Sequence, residues 1–180
     1  MLQFQSPKLD GWIAGGSGYY DFIKDQKGGH YLQYSKRKSR NDGPRQKLDV
    51  GCLDENVTYD FSAKILLTDL DGEAFSCNNF MQQRTDTSCV DLTFELRSGT
   101  KKTFIRKRNE DPAIWSSFEF NDFRISFKVT EDMKNADIVY FTIAGSVEET
   151  MILIDNVSLN ARFEKDAACA YIINGDAEVS

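Results

Sequence analysis

Between Tyr59 and Thr68 apolar residues recur at every second position. Tyr59, Phe61, Ala63, Ile65 and Leu67 fall on one side, and Asp60, Ser62, Lys64 and Thr68 on the other. A period of two over this length is the pattern of a β-strand with one face covered and one face wet. It commits the chain to a sheet packed against something. The residues before it extend the pattern: Tyr31 to Leu67 reads as strand, loop, strand, turn, strand. Gly43-Pro44 marks the loop, and Asp54-Glu55-Asn56 marks the second reversal.

The same signals continue along the chain. Val90, Leu92, Phe94 and Leu96 alternate with Asp91, Thr93, Glu95 and Arg97; Ser98-Gly99-Thr100 makes a hairpin turn; Lys101 to Arg106 returns as a strand. Trp115 to Phe120 and Phe123 to Val129 read as two more strands, and Glu131 to Ala136 as a polar connection or a single helical turn. Asp137 to Ala144 is apolar on both faces, which predicts a central place in a sheet. Gly145 to Thr150 turns, and Met151 to Leu159 is the last strand. Residues 1 to 30 are rich in turns, with short strands near Trp12 and over Tyr19 to Ile23. Gly15-Gly16-Ser17-Gly18 has neither the Lys-Ser/Thr nor the helix of a phosphate loop. About nine or ten short antiparallel strands with no amphipathic helix predict an all-β fold, a β-sandwich, and specifically a jelly roll.

Composition agrees and narrows the function. Thirteen Phe and seven Tyr against three Pro suit a β-rich core, and a net charge of −6 argues against a nucleic-acid partner. No apolar run approaches the roughly 20 residues of a membrane span. The opening residues MLQFQSPKLDGW lack the pattern of a signal peptide, so the expectation is a cytosolic protein or a piece of a longer one. Residues 1–163 form the expected domain, and 164–180 a linker. His30 is the only histidine, and no Ser, Cys or carboxylate pair stands in a catalytic motif, so an enzyme is not expected. Arg106-Lys107-Arg108 reads as a solvated strand end or, more sharply, as a small basic patch for an acidic or sulfated glycan.

The four cysteines at 52, 77, 89 and 169 lack zinc-ligand spacing; free thiols or two disulfides are the alternatives. Cys77 and Cys89 bracket a polar segment between two strands and are the expected pair. Cys52 with Cys169 follows by elimination, although Cys169 also fits whatever follows this domain. Disulfides would place the chain in an oxidising, extracellular setting, and the triplets Asn56-Val57-Thr58 and Asn156-Val157-Ser158 agree with that.

Tyr31-Leu32, Arg37, Gly43-Pro44-Arg45-Gln46 and Thr58-Tyr59-x-Phe61-Ser62-Ala63, in that order, resemble the central signature of the family 4, 9 and 22 carbohydrate-binding modules, which have a galactose-binding-domain-like jelly roll. Ile152 to Leu159, ILIDNVSL, resembles their closing strand, and Trp115 with Phe118, Phe127 and Val129 resembles an intervening segment. The similarity covers residues 10 to 160 and rests on structural positions more than on a binding site. Asn174-Gly175-Asp176-Ala177-Glu178 is similar to the motif that opens such a module. This implies a tandem array whose next copy begins within 164–180; an ordinary polar tail is the alternative.

The resemblance implies a secreted, non-catalytic module that binds a plant or algal polysaccharide beside neighbouring modules of one parent chain. Sugar binding needs an aromatic plane for a pyranose face and planar polar groups for its hydroxyls. The candidates are Tyr34, Arg37, Asn41, Gln46 and Trp115. Asn41 stands where many xylan-binding relatives carry a Trp, and Phe141 to Gly145 lacks an acidic residue that some relatives place there. Trp115 and Tyr34 also fit a core role, and Arg37 and Gln46 a loop brace. A structural calcium is implied at Asp155, with the matching first-strand Glu present only as Glu178. The alternative to a sugar-binding module is a structural or adhesive extracellular repeat that has lost its site.

Overall fold

The computed structural model describes residues 11–24, 30–55, 57–73, 75–77, 89–109 and 115–162. Ten strands order themselves as β1 (Trp12–Gly15), β2 (Tyr19–Lys24), β3 (His30–Ser35), β4 (Gly43–Leu48), β5 (Thr58–Asp69), β6 (Asp91–Ser98), β7 (Lys101–Arg108), β8 (Asn121–Lys128), β9 (Ile138–Ala144) and β10 (Thr150–Ala161). One helical turn, α1 (Glu131–Lys134), precedes β9 and is capped by Thr130, whose hydroxyl accepts from the Met133 amide. The strands form two five-stranded sheets, β1-β4-β9-β6-β7 and β2-β3-β10-β5-β8, antiparallel throughout. This is the β-sandwich jelly roll that the alternation predicts. Among the described residues no helix is long and apolar enough to cross a membrane.

Alternation accounts for the two layers. On β5 the residues Tyr59, Phe61, Ala63, Ile65 and Leu67 are all buried; on β6 the same holds for Leu92, Phe94 and Leu96. These inward faces meet. Phe61 of β5 packs edge-on against Phe141 of β9 at 5.4 Å between ring centroids, and Phe94 of β6 lies 4.7 Å from Phe127 of β8. The apolar Asp137–Ala144 segment takes the central position its composition predicts, with β9 between β4 and β6.

The segment Trp115–Phe120 is not a strand. The Asn121 side chain accepts from the Ser116 amide at 2.7 Å and donates to the carbonyls of Ser116 and Glu119 at 2.9 and 3.0 Å. These backbone groups are taken up locally rather than by a neighbouring strand, so the segment bends. Cys77 and Cys89 are joined as expected, with their Cα atoms 5.0 Å apart, and the Trp115 amide donates to the Cys77 carbonyl at 3.3 Å. Cys52 is a free, exposed thiol at the end of the 3-10 turn Val50–Cys52, so its assigned pairing is not formed. Cys169, Asn56 and residues 163–180, including the module-opening motif, lie outside the described residues.

Phe141 joins both layers, meeting Phe61 of the opposite sheet and, at 5.6 Å, Trp12 of its own, and the groove described below lies on the other side of its sheet. Truncation as Phe141→Ala is expected to destabilise the fold by about 3–5 kcal/mol through a cavity at the inter-sheet contact, read from the midpoint of urea unfolding.

Candidate functional site

Strand register sorts the outer face of the β1-β4-β9-β6-β7 sheet. Arg45 pairs with Thr142, Thr142 with Thr93, and Thr93 with Arg106; one step along, Lys47, Tyr140, Glu95 and Phe104 line up in the same way. Because Leu92, Phe94 and Leu96 face the core, these residues all face outward. Small side chains in the first row leave a hollow. It becomes a groove of about 650 Å³ whose lining includes Gly15, Asn41, Thr93, Phe104 and Arg106. Phe104 is 63% exposed, an aromatic plane on the groove wall.

Electrostatics hold the floor in place. Glu95 is buried on this face, and its carboxylate accepts from Arg97 Nε at 2.7 Å and from Arg45 Nη1 at 3.3 Å, with Lys102 Nζ at 3.7 Å. Arg45 and Arg97 both lie over the Tyr140 ring, 4.6 and 5.0 Å from its centroid. Each guanidinium is therefore held by an ion pair and an aromatic face. Burial works to raise the Glu95 carboxyl, but the Arg97 hydrogen bond and the neighbouring cations outweigh it and hold the group below its ordinary value. On β7, Arg106 pairs with Asp91 at 3.4 Å and donates to Asn41 Oδ1 at 3.0 Å.

Of the five sugar-site candidates Tyr34, Arg37, Asn41, Gln46 and Trp115, only Asn41 lines this groove, and Arg106 of the basic run lines it too. Tyr34 is 0% exposed and Trp115 only 4%; both belong to the core and offer no ring to a ligand. Burial, with Asp42 adding to it, pushes the Tyr34 phenol up to about 12. Gln46 pairs with Phe141, so its side chain shares the inward face, where its Oε1 is buried. Arg37 is a brace. Its buried guanidinium donates to the carbonyls of Asp42, Val147 and Ser146 at 2.8 Å each, and to the Ser146 and Thr150 hydroxyls at 2.7 and 3.0 Å. It ties the loop after β3 to the turn before β10. Arg45, Glu95, Arg97, Lys102 and Phe104 were absent from the sequence candidates, and Arg106 entered only through the basic run Arg106-Lys107-Arg108. The signal for the β7 residues lay in the hairpin: counting back from Gly99-Thr100 pairs Phe104 with Glu95.

Asp155 sits where β10 is irregular, next to Asn156 with φ 50°, and its carboxylate accepts from the Asn156 amide at 2.8 Å. Among the described residues no group of three His, Cys, Asp or Glu side chains stands together to ligate a metal. Glu178 lies outside them.

Solved structures share this architecture. The xylan-binding domain CBM22-1 of Paenibacillus barcinonensis Xyn10C superposes with a TM-score of 0.62 at 14% identity, over 84% of this chain and 85% of that one. The CBM22-2 domain of the same protein gives 0.63 at 12% identity, over 88% and 99%. The fold is that of the family 22 carbohydrate-binding modules. A Clostridium thermocellum xylanase 10B structure, comprising a CBM22-1 module and a GH10 module with xylohexaose, matches with a TM-score of 0.60 at 15% identity, over 88% of this chain and 27% of that one. No family model matches the sequence, and no curated protein does.

Two expectations follow. Arg37→Ala leaves its acceptors buried without a donor and should cost about 3 kcal/mol or more in urea unfolding. Arg37→Lys should recover only part of that, because an ammonium lacks the planar fork. Glu95→Gln should cost about 1–3 kcal/mol at pH 7. The Glu95 pKa is depressed in the fold, so its stabilisation is complete above the ordinary carboxylate value and is lost as pH falls through the lower, folded value. Urea unfolding of the two proteins should therefore begin to converge below about pH 4 and coincide only below the depressed folded value.

Proposed function

We propose that the chain is a non-catalytic carbohydrate-binding module and that the groove on the β1-β4-β9-β6-β7 sheet is its polysaccharide site. The observation that carries this reading is the combination on one face: an exposed Phe104 plane beside arginines whose positions are fixed by Glu95 and Tyr140. A pyranose presents an apolar face to an aromatic ring and hydroxyls around its rim to planar donors. A site built before the ligand arrives loses little conformational entropy on binding. An open groove also suits a chain polymer better than an enclosed pocket does. The comparison modules named as xylan-binding support the same class of ligand, the multi-module settings of two of them support a parent chain that carries further modules, and the Cys77–Cys89 disulfide supports an oxidising, extracellular setting.

A second reading has its own support. Burial of Tyr34 and Trp115, with Asn41 in place of an aromatic, fits a structural or adhesive extracellular repeat that keeps the jelly roll without its sugar site. Phe104 separates the two. Because its side chain stands largely in solvent, Phe104→Ala should leave the melting temperature nearly unchanged. On the binding-module reading it weakens retention on immobilised polysaccharide by about tenfold or more, as loss of a stacking aromatic does. Retention on no member of a broad panel of plant and algal polysaccharides, by wild type as well as variant, would favour the repeat.

A further inference from the structure

The groove is positively charged although the whole chain carries −6. By register, the outer face of this sheet presents Arg45 and Lys47 from β4, Arg97 from β6, and Lys102, Arg106 and Arg108 from β7, against only Asp91 and Glu95. Internal pairing does not cancel this. Glu95 is a single carboxylate shared by Arg45, Arg97 and Lys102. Asp91 pairs with Arg106. The groove's other acid, Asp42, accepts from the Ser17 hydroxyl at 2.8 Å and the Lys38 amide at 3.0 Å; these donors are neutral, so it stands as a third acid against the six cations of the face.

We infer that the ligand of this groove is an anionic polysaccharide, one whose sugar rings carry carboxylate or sulfate groups; the inference rests on the carbohydrate reading of the groove. A neutral chain laid over this surface would strip water from uncompensated cations and return only hydroxyl contacts. Carboxylate or sulfate groups balance the surplus, and the planar guanidinium fork matches their paired oxygens. Spacing fits as well. Lys102, Phe104 and Arg106 alternate on β7, so a cation stands about 7 Å along the strand on either side of the stacking ring. A sugar on Phe104 would thus have a positive group near each neighbouring residue of its chain. Within the basic run Arg106-Lys107-Arg108, register separates the residues: Arg106 and Arg108 share the groove face, and Lys107 points to the other side.

The test titrates the whole chain with polygalacturonate, a sulfated galactan, neutral xylan and a single-stranded oligonucleotide, at low and high salt. It uses wild type, Lys102→Gln/Arg106→Gln and Phe104→Ala. The expected result is binding to polygalacturonate or the sulfated galactan at least about tenfold tighter than to xylan, weakened by salt. The double variant should lose about tenfold on the acidic polymer, and Phe104→Ala should lose affinity as well. Which acidic polymer binds identifies carboxylate or sulfate as the recognised group. Melting curves accompany each variant, and Lys102→Gln alone, at the more exposed of the two cations, replaces the double variant if that one is destabilised. Xylan bound as tightly as the acidic polymers, with no effect of the double variant, overturns this inference and leaves the carbohydrate reading standing. Failure to bind any polysaccharide overturns both. An oligonucleotide bound as tightly as the acidic glycans overturns the inference in favour of unselective polyanion binding.

Discussion

The groove face depends on β6 keeping its register between β9 and β7. Its odd-numbered residues from Asp91 to Arg97 face outward, and Leu92, Phe94 and Leu96 face the core. A slip of one residue would exchange the two sets, exposing three apolar side chains and burying Glu95 among phenylalanines. The hydrophobic core therefore fixes the groove's chemistry without touching a ligand. Once Phe94 is seated against Phe127, Glu95 has to lie on the opposite side of the sheet, with Phe104 beside it.

Two charged devices then give the groove its shape, and they do different work. Arg37 joins the loop after β3 to the turn before β10 by hydrogen bonds to backbone and hydroxyl acceptors, and so holds Asn41 and Asp42 at the groove's end. Glu95 orders the floor through arginines stacked on Tyr140. The first arginine is buried and structural. Those on the floor remain partly exposed and keep donors for a ligand. Close approach by the backbone completes the hollow. A side chain at Gly43 would run into the Ile143 carbonyl of the neighbouring strand, and one at Gly15 would press against Arg45 and Thr142.

The fold was legible in the sequence because a period of two reports burial directly. The strands from β5 onward, apart from the bend at Trp115–Phe120, follow from it, and so does the central place of β9. The bend escaped because an asparagine side chain, not a hydrophobic pattern, decides where those backbone groups go. The site was harder to read. Tyr34 and Trp115 look like sugar platforms by residue type but also fit a core role, Tyr34 through the strand face it shares with Leu32, and packing decides for the core. Arg37 and Arg45 are indistinguishable as letters; one is consumed by backbone carbonyls and the other lines the groove. Phe104 was accessible to reasoning, because the two-residue turn at Gly99-Thr100 fixes its partner as Glu95. The charge of the face was legible only in part, through the basic run on β7, since Arg45 and Lys47 join it from β4, distant in sequence.

The measurement that bears most directly on this account is a map of backbone amide chemical shifts during titration with a polysaccharide that binds. The account predicts shifts clustered at residues 41–42, 93–97, 102–106 and 140–142, with the β2-β3-β10-β5-β8 sheet unchanged. Shifts centred on that second sheet, with the groove residues silent, would contradict it.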